Sequence, residues 1–201
     1  MQIGILIYDD AEVLDFSGPF EVFSTARRLQ PELDWQVALI APTPDRVQAR
    51  GGFPVMPHFS ITDHPPIDLL CVVGGVHHQA MANPDLIHWI AETASKARWV
   101  TSVCTGAFLL AKAGVLTSGK VTTHWEDVAE LQALFPALDV IDKGRWVKQG
   151  TIVTSAGISA GIDMSLMLVA ELASTALAVQ TARQMDYTWS PDTDACQGEA
   201  Q

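Results

Sequence analysis

Cys104 stands where an apolar run, "WVTSV" (99–103), gives way at once to a Gly- and Ala-rich helical pattern, "TGAFLLAKAG" (105–114). A thiol at a sharp strand-to-helix turn sits at a helix N-terminus, where unpaired N–H groups and the helix dipole favour an anion. Cysteines so placed have pKa values lowered from about 8.5 towards roughly 3.5–7.5, which suits a nucleophile. Thr105, Gly106 and Ala107 are small, so the backbone can turn tightly and leave the sulfur reachable. The competing explanation is a buried structural thiol packed as a small hydrophobe.

Three other features bear on the same chemistry. Gly74 and Gly75 close the apolar run "DLLCVVGG" (68–75), and paired glycines let backbone N–H groups approach a ligand as an oxyanion hole requires. Asp15, in "EVLDFSGPF", lies between Leu14 and Phe16. It is either an N-cap or Asx-turn residue, or a partly desolvated carboxylate that exchanges protons with the thiol or a substrate. His124, in "TTHW", lies 20 residues beyond Cys104 and could approach the sulfur. His77 and His78 follow the glycine pair at the expected pocket mouth, whereas His58, His64 and His88 read as surface or loop residues. No His pair has HExxH or HxH spacing, so a metal site is not expected.

These residues need a scaffold, and the chain supplies one by alternation. "IGILIY" (3–8), "WQVALIA" (35–41), "DLLCVVGG" and "WVTSV" are runs without polar alternation, as in strands covered on both faces. Helical patterns separate them: 18–29 with Pro19 at the first turn, about 84–97 after Asn83, the segment after Cys104, 126–135, 159–174 and about 176–185. "VQARGGFPVMPHFSI" (47–61) predicts short irregular edge strands, "KVTTHW" (120–125) a short strand, and "RWVKQGTIVTSA" (145–156) a hairpin about Gln149-Gly150. The helix at 159–174 is apolar nearly all round and therefore buried, and its apolar surface would also be compatible with dimerisation. Strands alternating with helices give a doubly wound α/β sheet, mostly parallel and sandwiched by helices. Ligands in such folds gather at the carboxyl ends of strands, which puts the Asp9–Gly18 loop, Gly74-Gly75 and Cys104 on one rim.

Composition narrows the partners. The chain has 201 residues, one domain over 1–190 with an acidic tail at 191–201 that reads as flexible. Twelve Lys and Arg against 23 Asp and Glu give a net charge of −11 with no basic cluster, so nucleic acid is not an expected partner. No apolar run approaches the roughly 18 residues of a membrane span. The start "MQIGILIYDD" has neither a basic n-region nor a cleavage site, so a cytoplasmic protein is expected. Cys71, Cys104 and Cys196 are too widely spaced for a disulfide framework or a zinc site; Cys71 reads as buried and Cys196 as incidental.

The sequence resembles the DJ-1/PfpI superfamily. The resemblance rests on "LDFSGPFEVF", "VCTGAFLLAKAGVL", "TTHW" and "SAGISAGIDMSLMLVAEL", in that order, over roughly residues 1–185. It implies a flavodoxin-like sandwich, usually a homodimer, with a reactive cysteine at the elbow. Protease-like members carry histidine directly after that cysteine, but here Thr105 follows Cys104. Glyoxalase-like members carry a glutamate on the first loop where this chain has Asp15; the combination is most similar to isocyanide hydratases. By that resemblance Cys104 is the nucleophile, Asp15 the acid and base, and Thr105 a support for the thiolate or substrate. Gly74, Gly75 and the backbone of Ile158 shape the site, and His124 is accessory or structural. The implied reaction adds water to an isocyanide through a covalent thioimidate, on a small-molecule substrate and without a cofactor. A cofactor-free glyoxalase or deglycase and a stand-alone ligand or redox sensor are the alternatives. The same motifs open AraC-type regulators, whose helix-turn-helix module is not expected within these residues.

Overall fold

The computed structural model of the chain describes residues 1–189 and the backbone of Ala195–Gln197. The elements follow in order as β1 (Gln2–Leu6), α1 (Val13–Leu29), β2 (Gln36–Ala41), β3 (Val47–Ala49), β4 (Phe53–Val55) and β5 (Phe59–Ser60). Next come β6 (Leu69–Val72), α2 (His78–Ala82), α3 (Pro84–Lys96), β7 (Trp99–Val103) and α4 (Gly106–Lys112). The chain continues through β8 (Gly119–Val121), α5 (Val128–Leu134), β9 (Leu138–Val140), β10 (Trp146–Gln149) and β11 (Ile152–Ser155). It ends with α6 (Ala160–Leu172), α7 (Thr175–Gln184) and β12 (Ala195–Gln197).

Eight strands form one sheet in the order β12-β10-β11-β7-β6-β1-β2-β5. Every neighbouring pair is parallel except the β10–β11 hairpin. β1 lies inside the sheet, with Ile3 beside Val37 of β2 and Leu69 of β6. Its Ile3, Ile5 and Leu6 are fully buried, as expected of a strand covered on both faces. From β1 the crossover through α1 moves along the sheet one way, while that from β6 through α3 moves the other. Right-handed crossovers therefore put α1 and α3 on opposite faces. β1 and β6 flank the point where the winding reverses, and ligand sites in doubly wound sheets form beside that point.

Two expectations need correction. α1 begins at Val13, not near Gly18, and Pro19 lies inside it. The helix can start early because the loop before it is tied down: Glu12 N–H donates to the Gly74 carbonyl at 2.9 Å, and Ala11 bridges Gly75. The "KVTTHW" segment is a strand only as far as Val121, not to Trp125, and there β8 pairs with β9 in a separate ladder. Beyond it, Thr122 N–H donates to the side-chain Oγ1 of Thr154 in β11, not to a backbone carbonyl. α6 is largely buried, as its apolar pattern predicts, and packs against α1, α7 and the sheet. Asn83 caps α3 through its side chain, accepting from the N–H groups of Asp85 and Leu86, as its position before Pro84 predicts. Cys71 is buried in β6. The tail at 191–201, with the Cys196 side chain, lies outside the described residues apart from the backbone of β12, which pairs with β10.

Candidate active site

Asp15 is the third residue of α1 and does not cap it; Glu12 occupies the N-cap position. The Asp15 side chain turns inward, is fully buried, and accepts from the Gly74 N–H at 3.1 Å through Oδ2. Its Oδ1 makes no hydrogen bond. The two readings left open by the sequence are thereby resolved in favour of a desolvated carboxylate. Cys104 and the Ile158 N–H both act on this carboxylate electrostatically, and both favour its anion.

Cys104 sits in the left-handed region at φ 56°, between β7 and α4. Such a conformation costs an ordinary residue about 1–3 kcal/mol and persists only where the surroundings hold it. Here they hold it from both sides. Its N–H points to the carbonyls of Ser155 and Ala156, and its carbonyl accepts from Thr123 Oγ1 at 2.9 Å. The opposing turn also fits closely against the elbow. A Cβ on Gly74 would fall 2.5 Å from Thr105 N and 2.8 Å from Cys104 Cβ, so only glycine permits this approach. Ile158 adopts φ 55°, an outlier for a β-branched residue, and lies just before α6.

The glycine pair does not form a free oxyanion hole. Gly74 N–H is taken by Asp15, and Gly75 N–H donates to Thr105 Oγ1 at 2.9 Å. Thr105 Oγ1 in turn lies 3.0 Å from the Gly75 carbonyl, to which it donates. The Thr105 hydroxyl thus clamps the glycine turn, and its direct link to the thiol is through its backbone N–H, which favours the thiolate.

The electrostatics reverse one expectation. The Cys104 thiol is pushed above its ordinary pKa, first by burial and next by the negative charge of Asp15; the Thr105 N–H opposes them. Desolvation of a side chain that is 7% exposed outweighs the favourable N-terminal end of α4. Burial also raises Asp15, to about 7, with Glu12 adding to the effect. The two acids cannot both ionise cheaply, so protonation of one favours ionisation of the other. With Asp15 protonated, its charge no longer suppresses the thiolate.

His124 lies beside this centre. Its ring packs where a Gly157 side chain would be, 2.0 Å from an ideal Cβ there. Nδ1 faces Asp127 Oδ2 at 3.4 Å and accepts from the Glu126 N–H at 3.4 Å. A cleft of about 360 Å³ opens next to it, lined by Thr123, His124, Trp125, Arg145, Gly157 and Ile158 among others. Cys104 is not part of the lining, although Thr123 and Ala156, which bond its backbone, are.

Several contributors escaped the sequence reading. Tyr8 is buried, donates to the Val73 carbonyl at 3.1 Å, and has a raised phenol pKa through burial and the nearby Asp15 and Cys104. Arg145 pairs with buried Asp163, which also accepts from Tyr187 Oη at 3.0 Å, and Arg145 donates to Ser159 Oγ at 3.0 Å. That cluster braces the start of α6 directly behind Ile158. Buried acids on helices with an arginine in the preceding hairpin were the available signal, but no periodicity pairs residues so far apart.

Comparison with known proteins places this geometry. The model of the DJ-1/PfpI family matches residues 1–171, most of the chain. The chain belongs to the DJ-1/PfpI family. A DJ-1/PfpI relative described as an isonitrile hydratase, from Pseudomonas putida, is 34% identical over 97% of this chain and 82% of its own length. A crystal structure of a ThiJ/PfpI family protein from Pseudomonas syringae superposes with a TM-score of 0.84 at 27% identity, covering 96% of this chain and 77% of that one. The HTH-type transcriptional regulator CdhR of Pseudomonas aeruginosa is 30% identical over 89% of this chain, which spans 53% of the regulator. Among the described residues, no helix of this DJ-1/PfpI protein is long and apolar enough to cross a membrane.

Proposed function

We propose that the chain hydrates isocyanides to N-substituted formamides through Cys104. The observation that carries this reading is the buried Asp15 carboxyl, held by Gly74 beside a cysteine in a strained elbow. Similarity to the Pseudomonas putida isonitrile hydratase supplies the substrate class.

The steps balance without an external redox partner. Asp15 takes the Cys104 thiol proton as the sulfur bonds to the isocyanide carbon and returns that proton to the carbon, leaving a thioimidate, R–N=CH–S. Water then adds its oxygen to the same carbon, and Asp15 passes one water proton to the nitrogen, giving R–NH–CH(OH)–S. The C–S bond breaks, Asp15 moves the hydroxyl proton to the departing sulfur, and R–NH–CHO leaves with the thiol restored. A carboxyl with a pKa of about 7 serves both directions of proton transfer near neutrality. In this reading Thr105, Gly74 and Gly75 position the pair, the Ile158 backbone faces Asp15, and His124 closes the cleft wall. No cofactor is required by these steps, and a homodimer is part of the same proposal by family membership.

Incubation of the purified chain with an aryl isocyanide, following formamide by chromatography, tests this. Formamide formation abolished in both Cys104→Ser and Asp15→Asn is the expected result. Turnover that survives Cys104→Ser overturns the mechanism. The match to regulators supports a second reading, a ligand or redox sensor. It gains if peroxide adds mass at Cys104 while neither isocyanide nor methylglyoxal is turned over; lactate from methylglyoxal would favour a glyoxalase.

A further inference from the structure

His77, His78 and Glu130 bring one ligand atom each to within 4.8 Å of one another. His77 and His78 are consecutive, at the start of α2 after the glycine turn, whereas Glu130 lies in α5. Sequence spacing suggests no metal site because only two of the three are adjacent. The fold brings the third to them.

His77 is the informative member. Its ring is 3% exposed and packs against Phe108, with centroids 4.4 Å apart, and against His78 at 4.5 Å. Yet its Nε2 is buried with no hydrogen-bond partner. A buried polar nitrogen without a partner is unfavourable unless something fills the place. The other two ligands can adapt. His78 and Glu130 are largely exposed, with Nε2 and Oε1 3.9 Å apart. The His77 and His78 rings are stacked at 20°, so His78 must rotate for both lone pairs to converge, and its exposure allows that.

We propose that His77, His78 and Glu130 form a binding site for a divalent transition-metal cation of the zinc type, joining α2 to α5 near the cleft lined by His124 and Trp125. Two imidazoles and a carboxylate are a donor set zinc accepts, leaving a fourth position for water or a ligand. The place matters because Trp125 and Val128, on the segment leading to Glu130, line the cleft. A bound cation fixes that wall against the glycine turn that holds Asp15.

The test uses the untagged full chain, freed of metal by a chelator, competing for zinc with a chromophoric chelator of micromolar affinity. One zinc per chain is expected, with affinity reduced at least about tenfold in His78→Ala and in Glu130→Gln and unchanged in Cys104→Ser. Both weakened variants change exposed residues, and unchanged circular dichroism confirms their fold. Cobalt in place of zinc should show ligand-field bands without thiolate charge transfer. Failure to compete with the chelator, affinity unaltered in both His78→Ala and Glu130→Gln, or a thiolate band lost in Cys104→Ser overturns the proposal.

Discussion

The Gly74 N–H and the Asp15 carboxylate meet at 3.1 Å, tying the first turn of α1 to the turn after β6, which the Glu12 backbone also holds. It satisfies only one oxygen of a fully buried acid whose other oxygen has no partner. The carboxyl is therefore held in place while its charge remains poorly stabilised.

That arrangement sets a pH dependence. Unfolded, Asp15 ionises near 3.8; folded, near 7. The folded state thus binds more protons in between, so this group's contribution to stability is complete below about 3.8 and is lost as pH rises to about 7. The full effect is on the order of 4 kcal/mol, since each pKa unit is worth about 1.4 kcal/mol. Asp15→Asn keeps an acceptor for Gly74 N–H and removes the charge. It should be more stable than the parent at pH 8 by a few kcal/mol, with the gap closing towards pH 4, and should lose hydratase turnover. Thermal melts across that range check it; a variant less stable than the parent at pH 8 contradicts the assignment.

Thr105 gives a different signature. Its hydroxyl both donates to and accepts from Gly75, so Thr105→Val leaves a carbonyl and an N–H without partners. A loss of about 1–3 kcal/mol is expected. Thr105→Ser should restore most of it, and activity with it. Melting temperature and turnover measured on both variants test the clamp; equal stability in Thr105→Val and Thr105→Ser would show that the hydroxyl is not what holds the turn.

Gly74→Ala probes the closest approach in the site. The added methyl would press on Thr105 N and Cys104 Cβ, both fixed backbone-proximal atoms that cannot swing away. Overpacking of this kind costs about 1–3 kcal/mol, and the elbow must move to relieve it. Reduced stability and a large fall in kcat are expected, whereas Gly51→Ala, at an open position with φ 71°, should show only the modest backbone cost. Urea unfolding midpoints of the pair make the comparison.

How far the sequence spoke can be judged at particular residues. The apolar runs at 3–8, 68–75 and 99–103 predict buried parallel strands, and β1, β6 and β7 lie there. Cys104 between a strand and a helix was legible because chain order alone defines an elbow. The convergence of Asp15, Gly74 and Cys104 was legible as a shared rim, since strand polarity puts those loops at one end of the sheet. What was not legible depends on side-chain direction and desolvation. Free glycine N–H groups were expected, but Asp15 and Thr105 occupy them. A depressed thiol was expected from the helix terminus, but burial and a neighbouring acid outweigh it. The Arg145–Asp163–Tyr187 cluster involves residues distant in sequence whose pairing no local pattern encodes.

His124 is the residue on which structural and catalytic roles diverge most sharply. Its ring fills the space over Gly157, and its Nδ1 accepts from the Glu126 N–H in the cap of the following turn, with Asp127 close by. Those contacts build the cleft wall and occupy one ring nitrogen, so the imidazole supports Gly157 and Ile158 from outside the Asp15–Cys104 pair. His124→Gln should therefore raise KM while kcat stays well short of the roughly 10²-fold loss that removing a general base brings. The pH dependence of kcat should stay as in the parent, because in the proposed reaction Asp15 sets it. Steady-state kinetics across pH 5–9 with an aryl isocyanide decide the matter: a kcat loss of 10² or more with a displaced acidic limb would make His124 a proton carrier and remove Asp15 from sole charge of that step.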